Sequence, residues 1–373
     1  MNERLRVYPR IIIALYLLIG GWWILSGPGL LDRAGNPVGG DFVTFWSAGS
    51  LLLEGQPEAA WDLELIHAAE SAALGVELSS DAAYGWFYPP PAILGAGLLA
   101  LVPYALSLTL WLGLSTLLYV LVCRAIRPDS LSLGLALAFP GLFQNLIHGQ
   151  NGCLTLALLG GGLMLLERRA LLGGAVLGLL VFKPHLLPIA ALALLCGRRW
   201  LALAGMTSSA AALCTVSWLL LGEGAWQAFL DTLPLALSIV DHAGPEWWSK
   251  MPSTAAALRL LGLGPDAARL ANLGVALSAL AAVAWLWARE AAAPQRYAAV
   301  VLASLLATPY VFHYDLVVLA LPLLWLAPWE GRARALALLA WLAPVLILLV
   351  AQLTGLQTGP LICGAMLLWC LRR

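Results

Sequence analysis

Apolar residues fill this chain in blocks separated by short polar stretches. The blocks run over about 11–27, 88–123, 130–147, 150–166, 170–182, 184–197, 200–221, 268–288, 297–309, 314–328, 335–352 and 358–371. They recur along the whole chain, and a helix of ~20 such residues crosses a hydrocarbon layer of ~30 Å. The pattern predicts an all-α, polytopic membrane protein of about twelve transmembrane helices, built as a single domain over residues 1–373. Pro103 interrupts the longest block, so residues 88–103 are expected as a half-length or tilted segment dipping into the outer leaflet.

Direction follows from the punctuation. Short loops rich in Lys and Arg stay in the cytoplasm. If each block crosses once, Arg4, Arg6, Arg10, Arg124, Arg127, Arg168, Arg169, Arg198, Arg199, Arg289, Arg296, Arg332, Arg334, Arg372 and Arg373 share one face, 15 of the 20 basic residues. Splitting 88–123 into two spans and fusing 170–197 into one leaves 11 of 20 inside and sets Lys183 at mid-bilayer, where a cation is costly. The first arrangement is preferred, with both termini cytoplasmic in what reads as a bacterial cytoplasmic membrane. It puts two long segments outside, 28–87 and 222–267. Nine acidic residues and only Arg33 among basic ones mark the first, and its stretch 63–80 reads as a short amphipathic interfacial helix. Trp247 and Trp248 in the second suit a membrane interface. Arg4, Arg6 and Arg10 before Ile11–Gly27 resemble a signal peptide, but the apolar run is long for one, so it reads as an uncleaved first span.

Composition agrees. With 61% hydrophobic and 11% charged residues the chain departs far from the roughly 25% charge of soluble domains, which excludes an ordinary soluble enzyme. Net charge is zero, and no basic stretch interleaved with aromatics points to nucleic acid. Six cysteines lie in apolar segments without metal-type spacing, so they are expected to pack as small hydrophobes.

Candidate chemistry collects at the outer ends of the blocks: Asp41, Tyr88, His148, Gln150, Asn151, Lys183, His185, His313, Tyr314 and Asp315. Asp41 follows Gly39-Gly40 and precedes a helical stretch, which leaves two readings: a helix cap, or a general base that takes a proton from an acceptor hydroxyl. Lys183, one of two lysines, stands in Phe182-Lys183-Pro184, either snorkelling to the surface or neutralising a phosphate leaving group. His313 suits the same phosphate, as a cation or as a neutral orienting group, or is a plain surface histidine. His148, Gln150 and Asn151 either bind sugar hydroxyls or form an interfacial turn, and Tyr88 before three prolines starts a helix and lines a pocket. No HExxH, Walker A, GxSxG or GxGxxG motif occurs, and no DxD pair lies near Asp41, so no obligatory divalent metal and no cofactor are expected.

Together the blocks Gly40-Asp41-Phe42, Trp46-Ser47-Ala48-Gly49, Leu53-Glu54-Gly55, Trp61-Asp62, Phe87-Tyr88-Pro89-Pro90, Gly149-Gln150-Asn151, Phe182-Lys183-Pro184 and Thr308-Pro309 resemble glycosyltransferase family 87. These are polyprenyl-phosphate-mannose-type mannosyltransferases with a GT-C fold. Where that family often shows a Ser-Trp stretch, this chain has Tyr310-Val311-Phe312. The resemblance implies a large first outer loop, a polyprenyl-phosphate sugar donor entering from the bilayer, and a glycolipid or glycan acceptor outside. Carried to matching positions, it makes Asp41 the catalytic base and Lys183, with His313, the donor-phosphate contacts. A lipid or solute transporter without bond-making chemistry is the alternative, and its mark would be paired broken helices meeting at the midplane.

Overall fold

The computed structural model of the chain describes residues 4–79 and 84–372. Among these, helices carry nearly all regular structure, with one isolated bridge between Leu31 and Pro37. Five helices are long and apolar enough to cross a membrane: α1 (Arg4–Leu25), α5 (Tyr104–Ile126), α11 (Trp200–His242), α14 (Pro265–Ala288) and α17 (Ala333–Thr354). A sixth candidate is the pair α6 (Ser130–Leu137) and α7 (Pro140–Ile147), bent by 42° where Pro140 starts the second helix. The chain is an integral membrane protein.

Helix α5 shows how lipid and core divide the faces. Leu106, Leu110, Leu114, Leu117 and Leu121 repeat every three or four residues and all stay exposed, while Ser107, Ser115, Tyr119 and Cys123 are buried. In water this would be inside out. In a bilayer the leucines meet lipid, and the small or polar residues let helices approach and satisfy one another. The same logic packs α8 (Gly152–Leu165), α9 (Ala170–Gly178) and the first arm of α11: Gly162 lies against Gly173 and Leu177, Gly174 against Ala202, and Gly205 against Leu171.

The remaining apolar blocks form shorter helices, because Gly and Pro cut them. Pro103 separates α4 (Pro90–Leu99) from α5, so the long block contains one span preceded by a helix only about 15 Å long. Pro184 breaks the run 170–197 into α9, two 3-10 turns (Leu179–Phe182 and Pro184–Leu186) and α10 (Leu187–Cys196). Next come α15 (Ala293–Ala307), a 3-10 helix over His313–Leu319 with α16 (Ala320–Trp325), and α18 (Gly359–Arg372). Helix α11 turns at Gly222, where φ is 76°, so its apolar first arm ends where the sequence block ends.

Residues 28–79 and 84–89 pack into a cap rather than an open loop. Helix α2 (Phe42–Leu53) buries Phe42, Val43, Phe45, Ala48 and Leu51 against α3 (Leu63–Leu74), the 3-10 turn Pro57–Trp61 and α4. The expected amphipathic stretch thus ends earlier, at Leu74, because Gly75 takes a left-handed conformation that closes the helix. Ile66 and Leu74 face the cap, but Leu63 is exposed, since Asp62 caps the helix there and leaves Leu63 on its outer rim. Residue 80 of that stretch, and Arg373 at the chain end, lie outside the described residues.

The second polar segment holds the second arm of α11, α12 (Pro245–Lys250) and α13 (Thr254–Leu260). Trp247 is exposed as an interfacial residue should be, whereas Trp248 is buried on Met251, Ala255 and Ala256 with the Arg259 guanidinium over its ring. The two indoles are adjacent on one helix turn, so they point in different directions and only one can face the interface. Cys123, Cys153, Cys363 and Cys370 are buried, and Cys196 and Cys214 are half-buried.

Candidate active site

Three glycines set the geometry. Gly39 and Gly40 take φ of 89° and 49°, and their carbonyls accept the N–H groups of Phe42 and Val43 at 2.9 and 3.2 Å. The first donors of α2 are therefore met by backbone, and the Asp41 side chain makes no capping bond. Gly149, with φ of 57°, ends the α7–α8 turn and lies directly on the Gly39 carbonyl and the Phe42 side chain, where any Cβ would collide. Trp111 holds this turn by donating from Nε1 to the Gly149 carbonyl at 2.9 Å, and Tyr104 donates its hydroxyl to the Val38 carbonyl at 2.7 Å on the opposite loop. Backbone thus meets backbone, and the side chains on either side of the contact reach each other.

The result is a bond from Gln150 Nε2 to Asp41 Oδ2 at 2.6 Å. Gln150 is buried, and its Oε1 accepts from the Tyr88 hydroxyl at 3.3 Å and from the Asn151 backbone N–H at 3.2 Å. Asn151 Nδ2 donates to the same Tyr88 hydroxyl at 2.9 Å. Tyr314 donates its hydroxyl to Asp41 as well. Burial raises the Asp41 pKa above its ordinary value, against the lowering influence of His148, Gln150 and Tyr314.

Tyr88 arrives on an extended strap. Trp61 Nε1 donates to its carbonyl at 3.0 Å, Trp86 packs on its ring, and Pro89 and Pro90 lead into α4. Upstream, Tyr84 is gripped on both sides: its N–H donates to Glu70 Oε2 at 3.2 Å and its carbonyl accepts the Thr44 hydroxyl at 3.1 Å. Glu70 is fully buried, and burial lifts its pKa to about 8.

Lys183 occupies the break between the two 3-10 turns, with its Nζ 2.7 Å from Asp315 Oδ1 and both side chains mostly buried, 11% and 19% exposed. It does not snorkel to solvent. The other Asp315 oxygen accepts the Phe312 N–H at 3.1 Å, fixing the carboxylate at the start of the 3-10 helix His313–Leu319. His313 is buried, with its ring edge-on to His148 at 4.9 Å between centroids, so it is no surface histidine. His148 Nδ1 is engaged by the Gln144 carbonyl at 2.8 Å, while its ring lies 5.4 Å from that of Tyr314. His185 is exposed.

The seven residues to which the sequence gave roles, Asp41, Tyr88, His148, Gln150, Asn151, Lys183 and His313, therefore belong to one connected neighbourhood. Two neighbours that sequence reasoning gave no role hold it together: Tyr314 touches the carboxylate and Asp315 touches the lysine. The available signal was Asp315 itself, an acidic residue at the start of the apolar block 314–328, at the same predicted membrane level as an unpaired lysine. Beside Tyr88 and Asn151 opens an apolar cleft of about 200 Å³, walled by Phe45, Trp86, Trp111, Leu154 and Phe182.

A helical membrane protein with a carboxylate held by an amide, a lysine–carboxylate pair close by, and an apolar cleft that meets the cluster at Tyr88 and Asn151 has the makings of a membrane-embedded transferase. The description of glycosyltransferase family 87 matches residues 86–309, more than half of the chain, and the chain belongs to that family. It is a glycosyltransferase, which takes a sugar donor and an acceptor and settles the choice against a transporter. Tyr88, His148, Gln150, Asn151 and Lys183 fall inside the matched segment, and Asp41 and His313 fall outside it. No curated protein and no solved structure matches the chain.

Proposed function

We propose that the protein moves a sugar, mannose by its family resemblance, from a polyprenyl phosphate to a glycolipid or glycan acceptor on the outer face of the membrane. On this reading each of the twelve apolar blocks crosses once in a GT-C-like bundle, with both termini inside and the α2–α3–α4 cap outside. The observation that carries it is the Asp41 carboxylate, which is spared from capping α2 and accepts from Tyr314, the residue next in sequence to the lysine's partner Asp315. Single crossings would bring the ends of these blocks to one face, and the meeting of Tyr88, Gln150 and Asn151 with Asp41 of the first loop supports that reading.

The reaction is one displacement at the anomeric carbon. Asp41 takes the proton from the acceptor hydroxyl as its oxygen bonds to that carbon; the bond from the carbon to the phosphate oxygen breaks, and its electron pair leaves on the phosphate. Lys183 donates N–H bonds to the departing phosphate while it stays paired with Asp315, and His313 orients the phosphate. Gln150 holds the Asp41 oxygen in place, while Tyr88, Asn151 and His148 bind sugar hydroxyls. The cleft beside Tyr88 suits the first isoprene units of the lipid, its lining being apolar apart from Tyr88 and Asn151. Nothing in this scheme calls for a metal.

Purified protein in liposomes with sugar-labelled polyprenyl phosphate and a mixed glycolipid acceptor fraction is expected to release free polyprenyl phosphate and to label the acceptor. Intact donor after long incubation, under conditions where the protein stays folded, would refute the reading.

A further inference from the structure

The Lys183–Asp315 pair has a charge balance that the transfer reaction must overcome. Lys183 is the cation that touches Asp315, and at 2.7 Å its charge is already matched there; Lys250, whose backbone contacts His313, is paired with Glu246 at 3.0 Å. Asp315 cannot swing away, because its second oxygen is tied to the Phe312 N–H and Tyr314, next to it, is tied to Asp41. The anionic groups facing the site are therefore Asp41 and Asp315, and the paired cation is Lys183, with the rings of His148, His185 and His313 beside them and the Lys250 charge near His313.

Now follow the phosphate, taking the polyprenyl-phosphate reading above as given. The donor is a phosphodiester with one negative charge. The product is a phosphomonoester, which gains a second charge near neutral pH. A lysine without a partner would hold the product more tightly than the donor, and turnover would stall on release. With Asp315 fixed beside it, the second charge meets a carboxylate instead of a surplus cation.

We infer that Asp315 is a positioning residue which, through Lys183, disfavours retention of the polyprenyl phosphate product and so sets the release step. Two unit charges a few ångströms apart in a partly buried site interact strongly enough that removing one changes an ion's affinity by on the order of tenfold or more. In the wild-type protein the affinity for polyprenyl phosphate falls, or stays level, as pH rises through the second phosphate ionisation. In Asp315→Asn it rises over the same range, and the product becomes an inhibitor roughly tenfold more potent, with a burst of transfer followed by slow turnover.

The test is product inhibition by a short-chain polyprenyl phosphate between pH 5.5 and 8.5, with a polyprenyl methyl phosphate diester as the control of constant charge. Steeper wild-type inhibition by the monoester at high pH, with the diester flat, overturns the proposal even if Asp315→Asn fails to fold. So does an Asp315→Asn protein that turns over but inhibits with the wild-type pH profile, which would leave Asp315 a merely structural partner. Asp315→Glu, which keeps the charge, is expected to restore the wild-type profile. Absence of any transfer by the wild-type protein would instead sink the glycosyltransfer reading on which the inference rests.

Discussion

Replacing Asp41 with asparagine changes one oxygen for an amide nitrogen at nearly constant volume. Gln150 Nε2 lies 2.6 Å from Asp41 Oδ2, so the new side chain presents its own oxygen to Gln150 and keeps that bond. The fold has little reason to object. One charge-assisted hydrogen bond weakens, worth about 1 kcal/mol, and the desolvation that raises the Asp41 pKa is relieved at the same time. The chemistry loses its base altogether. General-base assistance contributes roughly 10²–10⁴-fold, or about 3–5 kcal/mol of barrier. Asp41→Asn is thus expected to lower kcat by that factor while Tm stays within about 2 °C and donor affinity within threefold. Labelled-sugar transfer in liposomes measures the first, and thermal unfolding and donor binding the others. A kcat within threefold of wild type would remove Asp41 from the base role, and a kcat loss tracking a loss of folded protein would reduce it to a structural one.

The lysine makes a different prediction. Lys183→Met leaves Asp315 as a mostly buried charge without its partner, a change that costs about 3–5 kcal/mol in a well-buried pair and less here, where both side chains keep some exposure. The double variant Lys183→Met/Asp315→Asn is expected to recover most of that stability in thermal unfolding, yet not the donor binding. Gly149→Ala should be the most damaging single methyl in the cap–bundle contact, because the residue has positive φ and faces the Gly39 carbonyl; loss of several kcal/mol, seen as a large fall in Tm, is expected, and a neutral result would mean that the turn yields easily. Glu70, whose folded pKa of about 8 lies above its unfolded value, binds its proton more tightly in the fold, so the stability of the cap should fall as pH rises from about 4.5 to 8 and level off above. Glu70→Gln should therefore gain stability over wild type at pH 8.5 and little at pH 4.5, and equal gains at both would contradict the burial argument.

Much of this protein was legible as text because a bilayer simplifies the rules. The apolar blocks announced helices, and each of the five long helices overlaps one block and runs past its bounds, with interruptions at Pro103, Pro184 and Gly222 and one more, at Pro140, inside a block read as continuous. The polar residues at block ends were readable for the same reason: in hydrocarbon an unpaired polar group is too costly to be accidental. What the sequence left undecided was pairing. Whether Asp41 capped its helix depended on where the Gly39 and Gly40 carbonyls pointed, and that is a matter of backbone torsion. Trp247 and Trp248 looked alike until the Arg259 guanidinium and Met251 covered one of them. Lys183 acquired Asp315, 132 positions away, only once the bundle closed. Sequence order records which groups exist and how deep each one sits; the contact of Gly149 with Gly39, a close approach of backbones from distant segments, decides which groups touch, and only packing in three dimensions can set it.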